Sequence, residues 1–346
     1  MTEAQPSRND VFVLGAGFSK AIHPKMPLLA SLGTEVRGRL GAQIPEIPSR
    51  LGPDNFELWL SFLAEEQPWR TEAENLEARA AFLRITEVLR TVLTECVHEA
   101  RDQPCPPWLL QLIRRWHRDQ ATVITLNYDP LVEAAYAEAG RLAGGAWASD
   151  CIHTQIYRYA MTSIRSRNGA VLGTSQVRTL QLFKLHGSLN WVYSGRTNYY
   201  GETIYDDSAI TSWKGEVNEV SPATEKVSLI VPPTVGKSGF FQNETVRDQW
   251  RTAFTRLRHA SQVYCLGYSL PEGDLLLRNL LAAGVSAGAA IIPIDIRPET
   301  AARYTEALGT GVDGSFIRAT DPIPLFVETY DAAAPTALDA FPHVPA

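Results

Sequence analysis

FKLHGSLNW, residues 183–191, runs as an alternation of apolar and polar side chains that a glycine brings to an end. Phe183 and Leu185 alternate with Lys184 and His186, the period of a β-strand, and Gly187-Ser188 then breaks the pattern. The stretch predicts a short strand that stops here and leaves His186 at its carboxyl end. In an open α/β sheet, ligands bind along the rim formed by those ends. Taken alone, His186 has two readings: a strand-capping histidine bonded to a backbone carbonyl, or a functional group presented to a ligand. The other strand ends of the chain favour the second.

VFVLGAGFSK, residues 11–20, reads as a buried strand ending in Gly15-Ala16-Gly17, with a helix opening near Ser19. Glycines at a strand-to-helix turn let the backbone approach a pyrophosphate, and the amides of the helix start favour the anion. A tight turn with no ligand is the other reading, and Lys20 stands where the usual dinucleotide fingerprint has its third glycine. In ATVITLNYDPLVEAAY, residues 121–136, Val123, Ile124 and Leu126 form a strand, Asp129 can cap the next helix and Pro130 suits its first turn. Capping leaves Asn127 unexplained, a polar residue on the same rim as His186. QVYCLGYSL, residues 262–270, again places a glycine and a hydroxyl, Gly267 and Ser269, at a strand end, with Pro271 and Asp274 opening a helix. AAIIPIDIRPE, residues 289–299, puts Asp295 near the end of an apolar strand. There a carboxylate can take the hydroxyls of an adenosine ribose, or it can cap the helix beginning near Pro298.

The intervening sequence is read as scaffold. From about Leu51 to Trp116 the period turns helical, with Phe56, Trp59, Leu60 and Leu63 on one face, a longer stripe from Phe82 to Cys96, and a third helix from Pro107. The acidic cluster Glu65, Glu66, Glu72, Glu74 and Glu77 is read as a solvated face. Residues 140–179 read as long loops, and 196–222 as a surface excursion. Val227 to Val231 is a further β run, followed by an amphipathic helix carrying Val246, Trp250, Phe254 and Leu257. Beyond Phe316-Ile317 the chain is expected to be peripheral.

The 346 residues, 45% hydrophobic and 20% charged, are enough for one large domain or two ordinary ones. A net charge of −6 gives no electrostatic footprint for a polyanion, so direct nucleic-acid binding is disfavoured. The four cysteines, Cys96, Cys105, Cys151 and Cys265, form no Cys-x-x-Cys pair, so no metal is expected. The first ten residues lack the layout of a signal peptide and no apolar run reaches membrane-spanning length, so the expected location is cytoplasmic.

Read together, GAGFS, TLNYD, KLHGSLNW, GYSLP and IDIRP resemble, in this order, the sirtuin-like superfamily, and within it the bacterial sirtuin-like proteins of phage defence. The resemblance implies an α/β fold, a Rossmann-like, doubly wound and mainly parallel sheet with a helical insert. Its division would be a discontinuous NAD-binding domain over 1–45 and 119–330, a helical insert over 46–118 and a peripheral tail over 331–346. It implies NAD+ as substrate. Gly15, Ala16, Gly17 and Ser19 would line the phosphate loop, Asn127 and Asp129 would hold the nicotinamide ribose and carboxamide, and His186 would be the catalytic histidine, with Asn127 its partner. Gly267 and Ser269 would touch the dinucleotide and Asp295 the adenosine ribose. The implied activity is hydrolysis of NAD+ to nicotinamide and ADP-ribose, depleting NAD in antiphage defence. The alternatives are an NAD or ADP-ribose sensor without catalysis and an NAD-dependent protein deacylase. Against the deacylase stand the absence of a four-cysteine zinc module, Met26-Pro27-Leu28-Leu29 after the phosphate loop, and Leu126 before the Asn-x-Asp pair. A homo-oligomer, with an ATPase or an Argonaute-like sensor as partner subunit, is also implied.

Overall fold

The computed structural model describes residues 9–46, 55–145, 179–193, 204–206, 212–214, 227–234, 243–309 and 311–332. Its first elements are β1 (Asp10–Leu14), α1 (Ala16–Ile22), α2 (Leu29–Leu40), α3 (Phe56–Ala64), α4 (Glu72–Asp102), α5 (Pro107–Asp119), β2 (Thr122–Thr125) and α6 (Leu131–Leu142). There follow β3 (Gln181–Lys184), β4 (Gly187–Tyr193), β5 (Tyr205–Asp206), β6 (Val227–Ile230), α7 (Glu244–Arg258), β7 (Gln262–Leu266), α8 (Leu275–Gly284), β8 (Ala290–Ile294), α9 (Thr300–Leu308) and α10 (Pro322–Ala332).

Five strands pair in the order β3-β2-β1-β7-β8, and every pairing is parallel. Counted within this sheet alone the order is 3-2-1-4-5, that of a Rossmann-like fold. The chain leaves β1 toward one edge and returns to extend the other, so the topology switches at β1 and a crevice is expected at its carboxyl end. Both faces are covered, as parallel sheets require. Alternate residues of each strand divide between them. Phe12, Leu14, Val123 and Tyr264 pack with α1, α5, α6 and α10, while Val11, Val13, Ile124 and Cys265 pack with α7, α8 and α9. The expected doubly wound architecture is the one observed.

Within the interval read as a helical insert, α3 and the first two-thirds of α4 build a cluster of their own with α2 around Trp59, Phe82 and Ile85. The end of α4, at Val97 and Ala100, and the whole of α5 enter the core beneath the sheet. A second, antiparallel sheet, β5-β4-β6, packs Trp191 and Leu229 against Val246 of α7 and offers Ile230 to the helical cluster.

Two peripheral readings are corrected. Helix α10 is core: Phe326 and Tyr330 pack on Tyr264 and Phe12, the Tyr330 hydroxyl donates to Asp10 Oδ2 at 2.9 Å, and the Arg115 guanidinium lies 4.6 Å above the Tyr330 ring. Its apolar side chains are drawn into the groove that β1 and α5 leave open, a tertiary effect that small neighbouring residues hid. In the expected surface excursion, Ile204 and Trp213 are buried, and Trp213 Nε1 donates to Gln103 O at 2.8 Å. The loops expected over 146–178 lie outside the described residues, as does Cys151.

Candidate functional site

The rims of β1, β2 and β7 meet at three glycines. Gly15 is extended, α1 begins at Ala16, and Ser19 therefore sits one turn inside the helix and not at its start. Gly15 N–H donates to Leu266 O at 3.1 Å and Gly17 N–H to Gly267 O at 2.9 Å. A Cβ on Gly15 or Gly17 would stand 2.7 Å from Gly267 O. Gly267 itself has φ +61°, and its Cβ would lie 2.3 Å from Gly17 C and Phe18 N. The glycines thus let two loops touch backbone to backbone, and the amides of Gly15 and Gly17 are spent on that contact. The Ala16 amide has no acceptor among the described residues, which narrows the anion-binding surface expected of this turn. Gly267→Ala combines positive-φ strain with a clash against backbone that cannot yield. A loss of about 3 kcal/mol or more in urea denaturation is expected, whereas alanine at the unobstructed Gly38, inside α2, should stabilise by about 0.5–1 kcal/mol.

On the β2 rim a chain of side-chain hydrogen bonds ties the corner after the strand to α1. Asn127 Nδ2 donates to Gly15 O and to Ser19 Oγ, both at 2.9 Å, and the Ser19 hydroxyl donates to Asp129 Oδ2 at 2.7 Å. Asp129 Oδ1 accepts the Leu131 amide at 3.3 Å from two residues back, while the N-cap position falls on Pro130, which stands before the first turn and not in it as expected. The two donations fix which way the Asn127 amide points. Its Oδ1 has no partner among the described residues, and the residue is half-buried. Burial pushes the Asp129 carboxyl up, opposed by the Lys184 charge and the Ser19 hydrogen bond.

His186 follows β3 by two residues, at the turn into β4. This turn is knitted to the Asn127 corner: Leu189 N donates to Tyr128 O at 2.9 Å and Ser188 Oγ to the same oxygen at 3.2 Å. The His186 ring, 7% exposed, stands between Tyr128 and Trp250, with centroids 6.4 and 6.2 Å away. Its carbonyl accepts the Val231 amide at 2.8 Å, while the Tyr128 hydroxyl donates to Val231 O at 2.6 Å. Gly187, at φ +76°, leaves no room for a side chain under Leu229 O, which shapes the turn that carries the histidine.

The adenosine side of the expected site is assembled differently. Gly267 N donates to Ile294 O at 2.8 Å, bringing the β8 rim and Asp295 beside the glycine contact. Asp295 Oδ1 accepts the Arg297 amide at 2.9 Å, closing a turn. It caps no helix, since α9 starts only at Thr300. Its Oδ2 has no partner among the described residues. Ser269 is buried, 8% exposed, and its hydroxyl likewise meets no partner among them.

Residues 121–290, just under half of the chain, match a family model described as the SIR2-like domain. That stretch contains Asn127, Asp129, His186, Gly267 and Ser269. Solved structures that align with the chain include a Sir2 homolog–NAD complex, at 15% identity and a TM-score of 0.44 over 94% of this chain and 90% of that one. Sir2 with a p53 peptide and NAD+ aligns at 16% identity and a TM-score of 0.42, covering 94% and 92%. Sir2Tm bound to a propionylated peptide aligns at 15% and 0.41, again covering 94% and 92%. No curated protein matches.

Sequence reasoning passed over the residue that supports this corner from behind. Lys184 is fully buried, its Nζ donating to Asp129 O at 2.8 Å and to Glu133 Oε1 at 2.9 Å. Its amide donates to Gln249 Oε1, and the Trp250 indole donates to Leu185 O at 3.0 Å. A lysine between the apolar Phe183 and Leu185, with a glutamate in the first turn of α6 among apolar neighbours, was the available signal. Cys265 lies in the core of the sheet, its thiol pushed up to about 12 by burial.

Proposed function

We propose that the protein hydrolyses NAD+ to nicotinamide and ADP-ribose at the rim formed by Asn127, Asp129, His186 and the Gly15–Gly267 contact. The observation that supports this most is the oriented Asn127 amide, which two donated hydrogen bonds hold so that its carbonyl oxygen remains available beside the turn carrying His186. Cleavage of the nicotinamide bond develops positive charge on the ribose and releases a neutral ring, so the protein has chiefly to position the reactants. In this reading water adds through its oxygen to the ribose C1′ as the bond to the nicotinamide nitrogen breaks, and that electron pair returns to the ring. Asn127 Oδ1 holds the water or a ribose hydroxyl, and His186 takes the proton, directly or through that hydroxyl. Each Asp129 oxygen keeps an acceptor position after its internal bond, enough to receive a carboxamide N–H. Asp295 Oδ2 and the Ser269 hydroxyl serve the adenosine half. Gly15, Gly17 and Gly267 contribute through the close approach of their loops, and Ala16 through its open amide.

The biological role we assign is depletion of cellular NAD in antiphage defence, in a homo-oligomer or with an ATPase or Argonaute-like partner that supplies the trigger. The rival is a module that binds NAD or ADP-ribose without cleaving it, and the deep placement of the His186 ring between Tyr128 and Trp250 is what favours it.

Proton NMR of nicotinamide release separates the two. Wild-type protein over a concentration series, with no acylated peptide, is expected to release nicotinamide, and His186→Ala to lose roughly a hundred- to ten-thousand-fold of that rate. Calorimetric NAD binding by a wild type that releases nothing would instead establish the binding module.

A further inference from the structure

Helix α4 carries a second seam on the face turned away from the protein. Its buried residues, Ala78, Ala81, Phe82, Ile85 and Leu89, hold one side against α2 and α3. On the opposite side stand Leu76, 64% exposed, and Leu83, 56% exposed, one heptad apart, with exposed Ala80 between them and exposed Ala73 one turn before Leu76. Trp69, 72% exposed, lies in the turn just ahead of the Thr71 cap. These positions fall on the a and d sites of a heptad, with leucine at d and alanine at a. An apolar seam opposite a helix's own core face has no function within the monomer, and large exposed apolar side chains in contiguous rows mark contact surfaces.

We infer that this face pairs antiparallel with the same face of a second copy, about a two-fold axis at Ala80. That axis brings Leu76 of one copy beside Leu83 of the other and sets Ala80 against its own symmetry mate, where the small side chain permits close approach. It also carries Glu77 onto the level of Arg84 in the second copy, and Arg84 onto its Glu77. Both flank the seam at the same heptad position and both are exposed. Glu77 has no partner among the described residues, and Arg84 spends one N–H on Gln43 O at 3.3 Å. A parallel pairing would instead set Glu72 beside Glu77 and Arg79 beside Arg84 of the second copy, like charge against like, so the charges select the antiparallel arrangement. One patch thereby complements itself in both its apolar and its charged parts, which is the condition for a closed two-fold interface. The inference stands apart from the proposed reaction, because it is read through association state alone.

Sedimentation velocity on the full chain over a concentration series tests it. Wild type is expected to dimerise. Leu76→Glu with Leu83→Glu should sediment as a monomer with unchanged circular dichroism, since neither leucine supports the monomer's core. Glu77→Arg should raise the dissociation constant by about tenfold, and Glu77→Arg combined with Arg84→Glu should restore it, because the swap recreates both cross-pairs. In a variant lacking the native cysteines, Ala80→Cys should form a disulfide-linked dimer on oxidation and Ala78→Cys, on the buried face, should not. A wild type that stays monomeric throughout, or a dimer indifferent to the leucine substitutions, overturns the inference.

Discussion

Asn127→Ala is expected to lower nicotinamide release from NAD+ by a hundredfold or more while moving the thermal midpoint by only a few degrees. The disparity follows from where the two ends of the amide are engaged. Its nitrogen donates to Gly15 O and Ser19 Oγ, so truncation removes two hydrogen bonds, each worth roughly 1 kcal/mol net. The residue is half-buried, and water entering the vacated space replaces part of that loss. Its oxygen, in contrast, is the group assigned to the reacting centre, and misplacing the water or ribose there forfeits orientation that no bulk solvent restores. Asn127→Asp sharpens the test. The substituted oxygen would face the Gly15 carbonyl, and the Ser19 hydroxyl, whose proton goes to Asp129, would present only lone pairs to it. Aspartate should therefore be less stable than alanine at this position and no more active. Single-turnover release and calorimetry on the three proteins decide the matter, and an alanine variant of full activity would remove Asn127 from the reaction.

The rim on which this prediction rests was legible because strand ends announce themselves: an apolar run, then a glycine or an uncompensated polar residue. GAGFS, TLNYD, KLHG and CLGYS each gave that signal, and the structure joins Asn127, Ser19 and Asp129 by direct hydrogen bonds and Gly15 and Gly17 to Gly267 by backbone contact. Hidden from the sequence was what the glycines do. They were read as space for a pyrophosphate, yet the residues nearest their missing Cβ atoms belong to the other loop, a fact that exists only once β1 and β7 are paired. Helix α10 was missed for a similar reason. Its Phe326 and Tyr330 become core only through Phe12, Tyr264 and Arg115, which lie far away along the chain. Lys184 looked like the polar half of an alternating strand. A fully parallel sheet buries both faces, so its solvent-facing half does not exist, and the lysine must find a carboxylate instead.

That requirement makes Lys184→Met the substitution with the largest expected effect on stability. The ammonium is fully buried, and removing it takes from Glu133, 7% exposed, the cation that lies 2.9 Å from its Oε1. Deleting one member of a buried pair typically costs about 3–5 kcal/mol, a large share of the roughly 5–15 kcal/mol that holds a domain together. The hydrogen bond to Asp129 O is lost as well, loosening the corner that presents Asn127. The deficit should depend on pH in a definite direction. Burial already raises the Asp129 carboxyl above its unfolded value, and Lys184 is the main influence holding it down. Without the lysine, Asp129 would titrate still further above its unfolded value in the folded state. Such a group lends stability that is complete below the unfolded carboxyl range and is lost as pH rises through the folded value, so the gap to wild type should widen upward from about pH 4. Lys184→Met with Glu133→Leu removes both charges and should regain most of the loss, apart from about 1 kcal/mol for the bond to Asp129 O. Urea denaturation at about pH 5 and about pH 8 reads all three quantities. A single variant within about 1 kcal/mol of wild type at both values, or a double variant no better than the single, would show that the pair does not carry the corner.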